Sequence, residues 1–202
     1  MHALCVSCYI LELEQLWFGK IELRSLLIAA LFHDAWHTWS PSIFDEFHSL
    51  SIYKNILEQY KNQFENYLID ESIIRKAIMW TVFKQRWKNT DLYAQIMADC
   101  DIGCIGKDVY EFIYYGFMLA FEFWVDAETF ITKTEKWYFL YLMWIEKEII
   151  INEFTKQIFP NSLKTIKDFY LLTFETKKSM FETLQNTDVT LEDFKNKYLP
   201  LN

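Results

Sequence analysis

Only four glycines and three prolines interrupt 202 residues, and the segments between them repeat apolar residues at intervals of three and four rather than two. So few chain breakers with that period predict an all-α fold. At 52% hydrophobic and 19% aromatic the chain can bury a sizeable core, so a single all-helical domain over 1–202 is expected. Breakers and caps predict helices over about 3–17 and 21–36. A third starts at the capping-box variant Ser42-Ile-Phe-Asp45 and runs to about Tyr67. Asp70 caps a fourth, Glu71 to about Phe83, and a start at Asn89 or Thr90 leads into Ala98-Asp-Cys-Asp101. Further helices are expected over 107–125, about 134–158, 162–184 and 191–198.

The net charge of -8 argues against duplex nucleic acid as a partner, because neutralising phosphates needs clustered Lys and Arg. The longest uncharged apolar stretches, Phe112 to Phe121 and Trp137 to Ile145, fall short of the ~20 residues of a spanning helix. No membrane partner is therefore expected. With no secretory pattern at the start, the cytoplasm is the expected compartment. The aromatic run Tyr110 to Trp124 and the run Trp137 to Trp144 cover more than one helical face, which suits a buried core with part of it at a homo-oligomeric contact. The pairs Cys5-x-x-Cys8 and Cys100-x-x-x-Cys104 have a spacing that permits a four-thiolate zinc site. Their apolar, helix-like surroundings favour reduced, mostly buried thiols instead.

The chemistry concentrates in His33-Asp34-Ala35-Trp36-His37, which ends the apolar run Leu26 to Phe32. On a helix His33 and His37 share a face and Asp34 projects beside them, and imidazole with carboxylate suits a first-row divalent ion. All four histidines, His2, His33, His37 and His48, lie in the first quarter of the chain. A second constellation is Asp99-Cys100-Asp101. Residues two apart on a helix point about 200° apart, so only one of these carboxylates can face an ion; the bland alternative is one solvent-facing Asp and one at the helix end. Trp36 beside His37 could stack on a base or pack in the core. For a phosphate's charge the candidates are Lys84, Arg86 and Lys88, unless that run is a solvated loop, and Lys107.

His33-Asp34 after an Ala-Leu-Phe run, with Asp-x-Asp-Ile downstream, resembles the HD-domain metal-dependent phosphohydrolase superfamily, whose pattern is His, then His-Asp, then Asp. The resemblance covers about 2–105 and implies an HD-like helical bundle, with 107–202 as further packing helices. It implies His33 and Asp34 as the central pair, Asp101 as the distal ligand, Asp99 as an outer partner, and His2 as the first histidine. Family members carry residues ahead of that histidine, often Tyr-His-Asn, where this chain has only Met1. His37 is similar to the second histidine of the His-Asp-x-x-His form, which implies a part in proton transfer or in holding a second metal. His48, in Glu46-Phe-His-Ser49, is a looser match as a ligand, against a surface or core histidine.

The expected function is hydrolysis of a small nucleotide-like phosphoester by a metal-activated water, with Asp34 and His37 in the chemistry and a divalent ion (Mn, Mg, Fe, Co, Ni or Zn) as cofactor. Two other readings stand beside it. One is an HD-type di-iron oxygenase using His37 and His48 as extra ligands. The other is a non-catalytic HD-like protein that binds a nucleotide or a protein.

Overall fold

The computed structural model describes residues 2–16, 18–36, 43–64, 67–82, 87–144, 148–185 and 188–199, with the side chains of 43, 63, 64 and 137–144 left aside. In chain order the helices are α1 (His2–Glu12), α2 (Lys20–Phe32), α3 (Ile43–Gln59), α4 (Lys61–Phe64), α5 (Glu71–Met79), α6 (Leu92–Asp101), α7 (Val109–Glu122), α8 (Ala127–Trp144), α9 (Thr155–Ile158), α10 (Ser162–Leu171), α11 (Phe174–Gln185) and α12 (Leu191–Tyr198). Tight 3-10 turns occupy Leu13–Leu16 and Gly103–Gly106. There is no strand among the described residues, so the fold class is all-α. None of these helices is long and apolar enough to cross a membrane.

The chain divides into two compact units, residues 2–103 with 150–158, and residues 104–149 with 159–202. In the first unit α1, α2, α5 and α6 pack on one another, α3 lies against α2 and α5, and α9 lies against α6. Each helix buries a stripe set by its period: Val6, Tyr9, Ile10 and Leu13 at the start of the chain, Leu23, Leu26, Ala29 and Ala30 on α2, Ile73, Ile74, Ala77 and Ile78 on α5. Asp70 caps α5 as the sequence indicates, accepting from the amides of Ser72 and Ile73. At α6 the cap is Asp91 rather than Asn89 or Thr90: its carboxylate accepts from the amides of Tyr93 and Ala94. Asn89 instead accepts from the Asp91 amide with its side-chain oxygen.

The second unit gathers α7, α8, α10, α11 and α12 around a phenyl cluster. Phe117 meets Phe130 and Phe181 edge-on with ring centroids 5.5 and 5.0 Å apart, and Phe112 meets Phe169 at 5.3 Å. Lys177 is fully buried here, its ammonium paired with the Glu135 carboxylate and set over the Phe169 ring.

Several expected boundaries move: the third helix ends at Gln59 rather than near Tyr67, with the short α4 after it, and α5 ends at Met79. Residues 134–158 do not make one helix. Helix α8 begins at Ala127, where Asp126 accepts from the Thr129 amide, and residues 148–154 lie outside any helix. Residues 162–184 split at 172–173, where the Thr173 hydroxyl accepts from the Thr176 amide and starts α11. Helix α2 ends at Phe32, so His33 and Asp34 stand at its exit rather than inside a helix reaching 36. The thiols also differ from a mostly buried set: Cys100 is buried, Cys5 and Cys104 are half-buried and Cys8 is exposed.

Candidate metal centre

Each ligand candidate extends the buried stripe of its own helix. His2 stands four residues before Val6, and His33 three and four residues after Ala30 and Ala29. Asp101 likewise follows Met97 and Ala98 by four and three. At those spacings a side chain lies on the same face as the apolar residues, so the packing of α1, α2 and α6 that closes the core also draws these three polar groups together. Asp34 follows His33 in the turn after α2.

The atoms meet closely. His2 Nε2 is 2.9 Å from Asp101 Oδ1 and 3.5 Å from Asp34 Oδ2, while His33 Nε2 is 3.1 Å from Asp101 Oδ1 and 3.4 Å from Asp34 Oδ2. One donor atom from each of the four residues lies within 4.8 Å of all the others. Ligands of one divalent ion at ~2.0 to 2.2 Å are at most roughly 4.4 Å apart, so the group closes on an ion with small adjustments. The tautomer is also set: His33 Nδ1–H donates to the Ala30 carbonyl at 2.8 Å, which leaves Nε2 facing the carboxylates. A metal-bound histidine ordinarily has such a partner on its other nitrogen. On both counts the residues fit a divalent ion.

Two groups in the cluster titrate far from their ordinary values. Burial alone would lower the pKa of His33, but the Asp34 charge, the hydrogen bond and charge of Asp101 and the Ala30 carbonyl outweigh it, raising it from 6.5 to about 9. Burial would raise the Asp101 carboxyl, yet hydrogen bonds and charge from His2 and His33 hold it well below the usual carboxylate range. In the absence of an ion the cluster therefore holds a proton in the cation's place.

Asp99 takes another role from the outer-partner one expected. It is fully buried on the face of α6 turned away from the cluster, where its carboxylate accepts from the amides of Ile151 (3.1 Å) and Asn152 (2.8 Å) and from the Thr155 hydroxyl. Gln95, one turn earlier on that face, accepts from the Asn152 side-chain amide. Asp99 thus ties residues 150–158 to α6, a long-range contact with no local sequence signal.

His48 stands outside the four-residue group. It is exposed on α3, its ring 5.4 Å from that of Trp36, which is itself half-exposed. Lys107 belongs to the second unit, its ammonium 5.2 Å from the centre of the Phe159 ring. His37, Lys84 and Arg86 lie outside the described residues, as do Trp39 and Ser42.

Glu46 is the residue that motif reading passed over. The Ser49 hydroxyl donates to the Trp36 carbonyl and accepts from the Trp36 amide, which pins the chain just past Asp34 to the start of α3. Glu46, one turn before Ser49, has a buried Oε2 with no hydrogen-bond partner among the described residues. Burial, with its own backbone amide working the other way, and the charges of Asp45, Asp34 and Asp101 push its carboxyl up to about 7. The sequence offered one cue, a carboxylate on the face of α3 that also carries Ser49. No family model matches the chain, and no curated protein or solved structure does either.

Proposed function

We propose that the protein is a metal-dependent phosphohydrolase or phosphodiesterase acting on a small nucleotide-like phosphoester. The observation that carries this reading is the convergence of His2, His33, Asp34 and Asp101, four donors in the order His, His-Asp, Asp, drawn from three separate parts of the chain. Two imidazoles and two carboxylates suit a divalent first-row ion, which when bound lowers the pKa of a water and polarises phosphoryl oxygens. His2, His33 and Asp101 would hold it from the ends of α1, α2 and α6, and Asp34, the more exposed of the two carboxylates, is placed to orient a water as well as to bind. Half-exposed Trp36 beside the site offers a surface on which a base could stack. The acidic chain favours a small substrate over duplex nucleic acid.

The test is metal analysis of the purified protein followed by turnover of bis(p-nitrophenyl) phosphate, p-nitrophenyl phosphate and a nucleotide panel with Mn, Mg, Fe, Co, Ni or Zn added in turn. The expected result is a stoichiometric ion and hydrolysis with at least one ion and substrate, both lost in Asp101→Ala. A chain that binds an ion, consumes oxygen with iron and cleaves no phosphoester would reject this reading for the oxygenase one. A chain that binds no ion would reject both.

A further inference from the structure

We propose that the groove between α3 and α5 is a binding site for a nucleoside monophosphate, separate from the metal centre. Phe47, Leu50 and Lys54 line one wall and Arg75, Met79 and Trp80 the other, around a cavity of about 480 Å³, within the range of small-ligand sites. Spacings of three, four and seven residues put the α3 side chains on one helical face. A rise of 1.5 Å per residue sets Phe47 and Lys54 about 10 Å apart along that face. Each wall therefore carries an aromatic ring and a cation at separate places.

The charge of the groove departs from that of the chain. The whole sequence has 28 acidic and 20 basic residues, yet the described residues lining this cavity include Lys54, Arg75 and Lys76 and no carboxylate. Lys76 is already paired with Asp91 at 2.7 Å. Lys54 and Arg75 have no carboxylate partner among the described residues, so two cations stand ready for an anion that the protein does not itself supply. A phosphomonoester carries nearly two negative charges at neutral pH, and a guanidinium fork beside an ammonium suits its oxygens. Phe47 is 53% exposed and Trp80 half-buried, so both rings have surface left for a flat base to stack on. The ligand that uses both halves of the groove joins an aromatic base to a phosphate. None of the four residues of the metal centre lines this cavity, and the proposal does not rest on the hydrolase reading.

The experiment is calorimetric titration of the full chain in EDTA with AMP, GMP, CMP and UMP, and with inorganic phosphate, adenosine and decanoate for comparison. At least one nucleotide should bind at a single site with a dissociation constant below about 1 mM. Lys54→Ala and Arg75→Ala should each weaken it by about 10-fold or more, the range of a lost charged hydrogen bond, and Phe47→Ala by about 5-fold or more through lost stacking. All three side chains are exposed, so the variants should melt with the parent, and Asp101→Ala should bind the nucleotide as the parent does. Four results overturn the proposal: no nucleotide binding, binding that survives Lys54→Ala and Arg75→Ala, inorganic phosphate or adenosine held as tightly as the nucleotide, or decanoate held more tightly, which makes the groove a lipid-anion site. Loss of binding in Asp101→Ala overturns it as well, by moving the nucleotide to the metal centre. Nucleotide binding that follows the groove variants in a protein that cleaves no phosphoester supports this site while rejecting the hydrolase reading.

Discussion

A buried histidine with a raised pKa links the candidate metal centre to pH in two ways. His33 binds a proton up to about pH 9 in the metal-free protein against 6.5 when unperturbed, so an ion must displace that proton to reach Nε2. Ion binding is expected to release protons near neutral pH and to tighten as pH rises towards 9, measured by calorimetry in buffers of different ionisation enthalpy. Binding with no buffer dependence would mean His33 is not a ligand. Stability follows the opposite course. Because the folded pKa lies above the unfolded one, the contribution of protonated His33 is fully present below about 6.5 and is lost as pH climbs through about 9. The metal-free protein should therefore melt several degrees lower at the top of that window than at its foot, and His33→Gln should flatten the difference.

The two carboxylates of α6 show how helix geometry assigns roles. Asp101 continues the stripe that includes Ala94, Met97 and Ala98, while Asp99 shares the face of Gln95 and meets Ile151, Asn152 and Thr155. Replacing Asp99 with Ala strands two amides and a hydroxyl, and the destabilisation should reach about 3 kcal/mol, the upper range for losing a buried hydrogen-bonded group. Ion binding in the folded protein should persist. Asp101→Ala should lose the ion, and in the metal-free protein it also removes the carboxylate that His2 and His33 hold ionised. Chemical denaturation of both variants with and without Mn²⁺ checks the pair. Equal loss of metal affinity in the two would undo the division of labour between the faces of α6.

For the molecule as a whole, an ion that binds the folded cluster but not the unfolded chain stabilises by mass action. At 100 times the dissociation constant that amounts to ~2.7 kcal/mol. Added Mn²⁺ should raise the melting temperature of the parent in a concentration-dependent way and leave Asp34→Ala and Asp101→Ala unmoved. A parent whose melting is indifferent to every divalent ion tested would leave the cluster as a network of buried ion pairs and nothing more.

The all-α class was legible in the residues themselves, because scarce breakers and a three-and-four period leave helices as the way to bury so much apolar surface. So was the cap at Asp70, whose side chain reaches the following amides within a single turn, and His33-Asp34 as a pair to which a cluster of donor atoms could gather. His2 and Asp101 were named in advance only through a family pattern; that they meet His33 was decided by the packing of α1 and α6 on α2. Local sequence could not tell where 134–158 breaks, because that break depends on Asp99 more than fifty residues earlier accepting from Ile151 and Asn152. Nor could it single out Glu46. A carboxylate on a helix reads as a solvated group until the rest of the chain closes over it, and burial belongs to the tertiary structure alone.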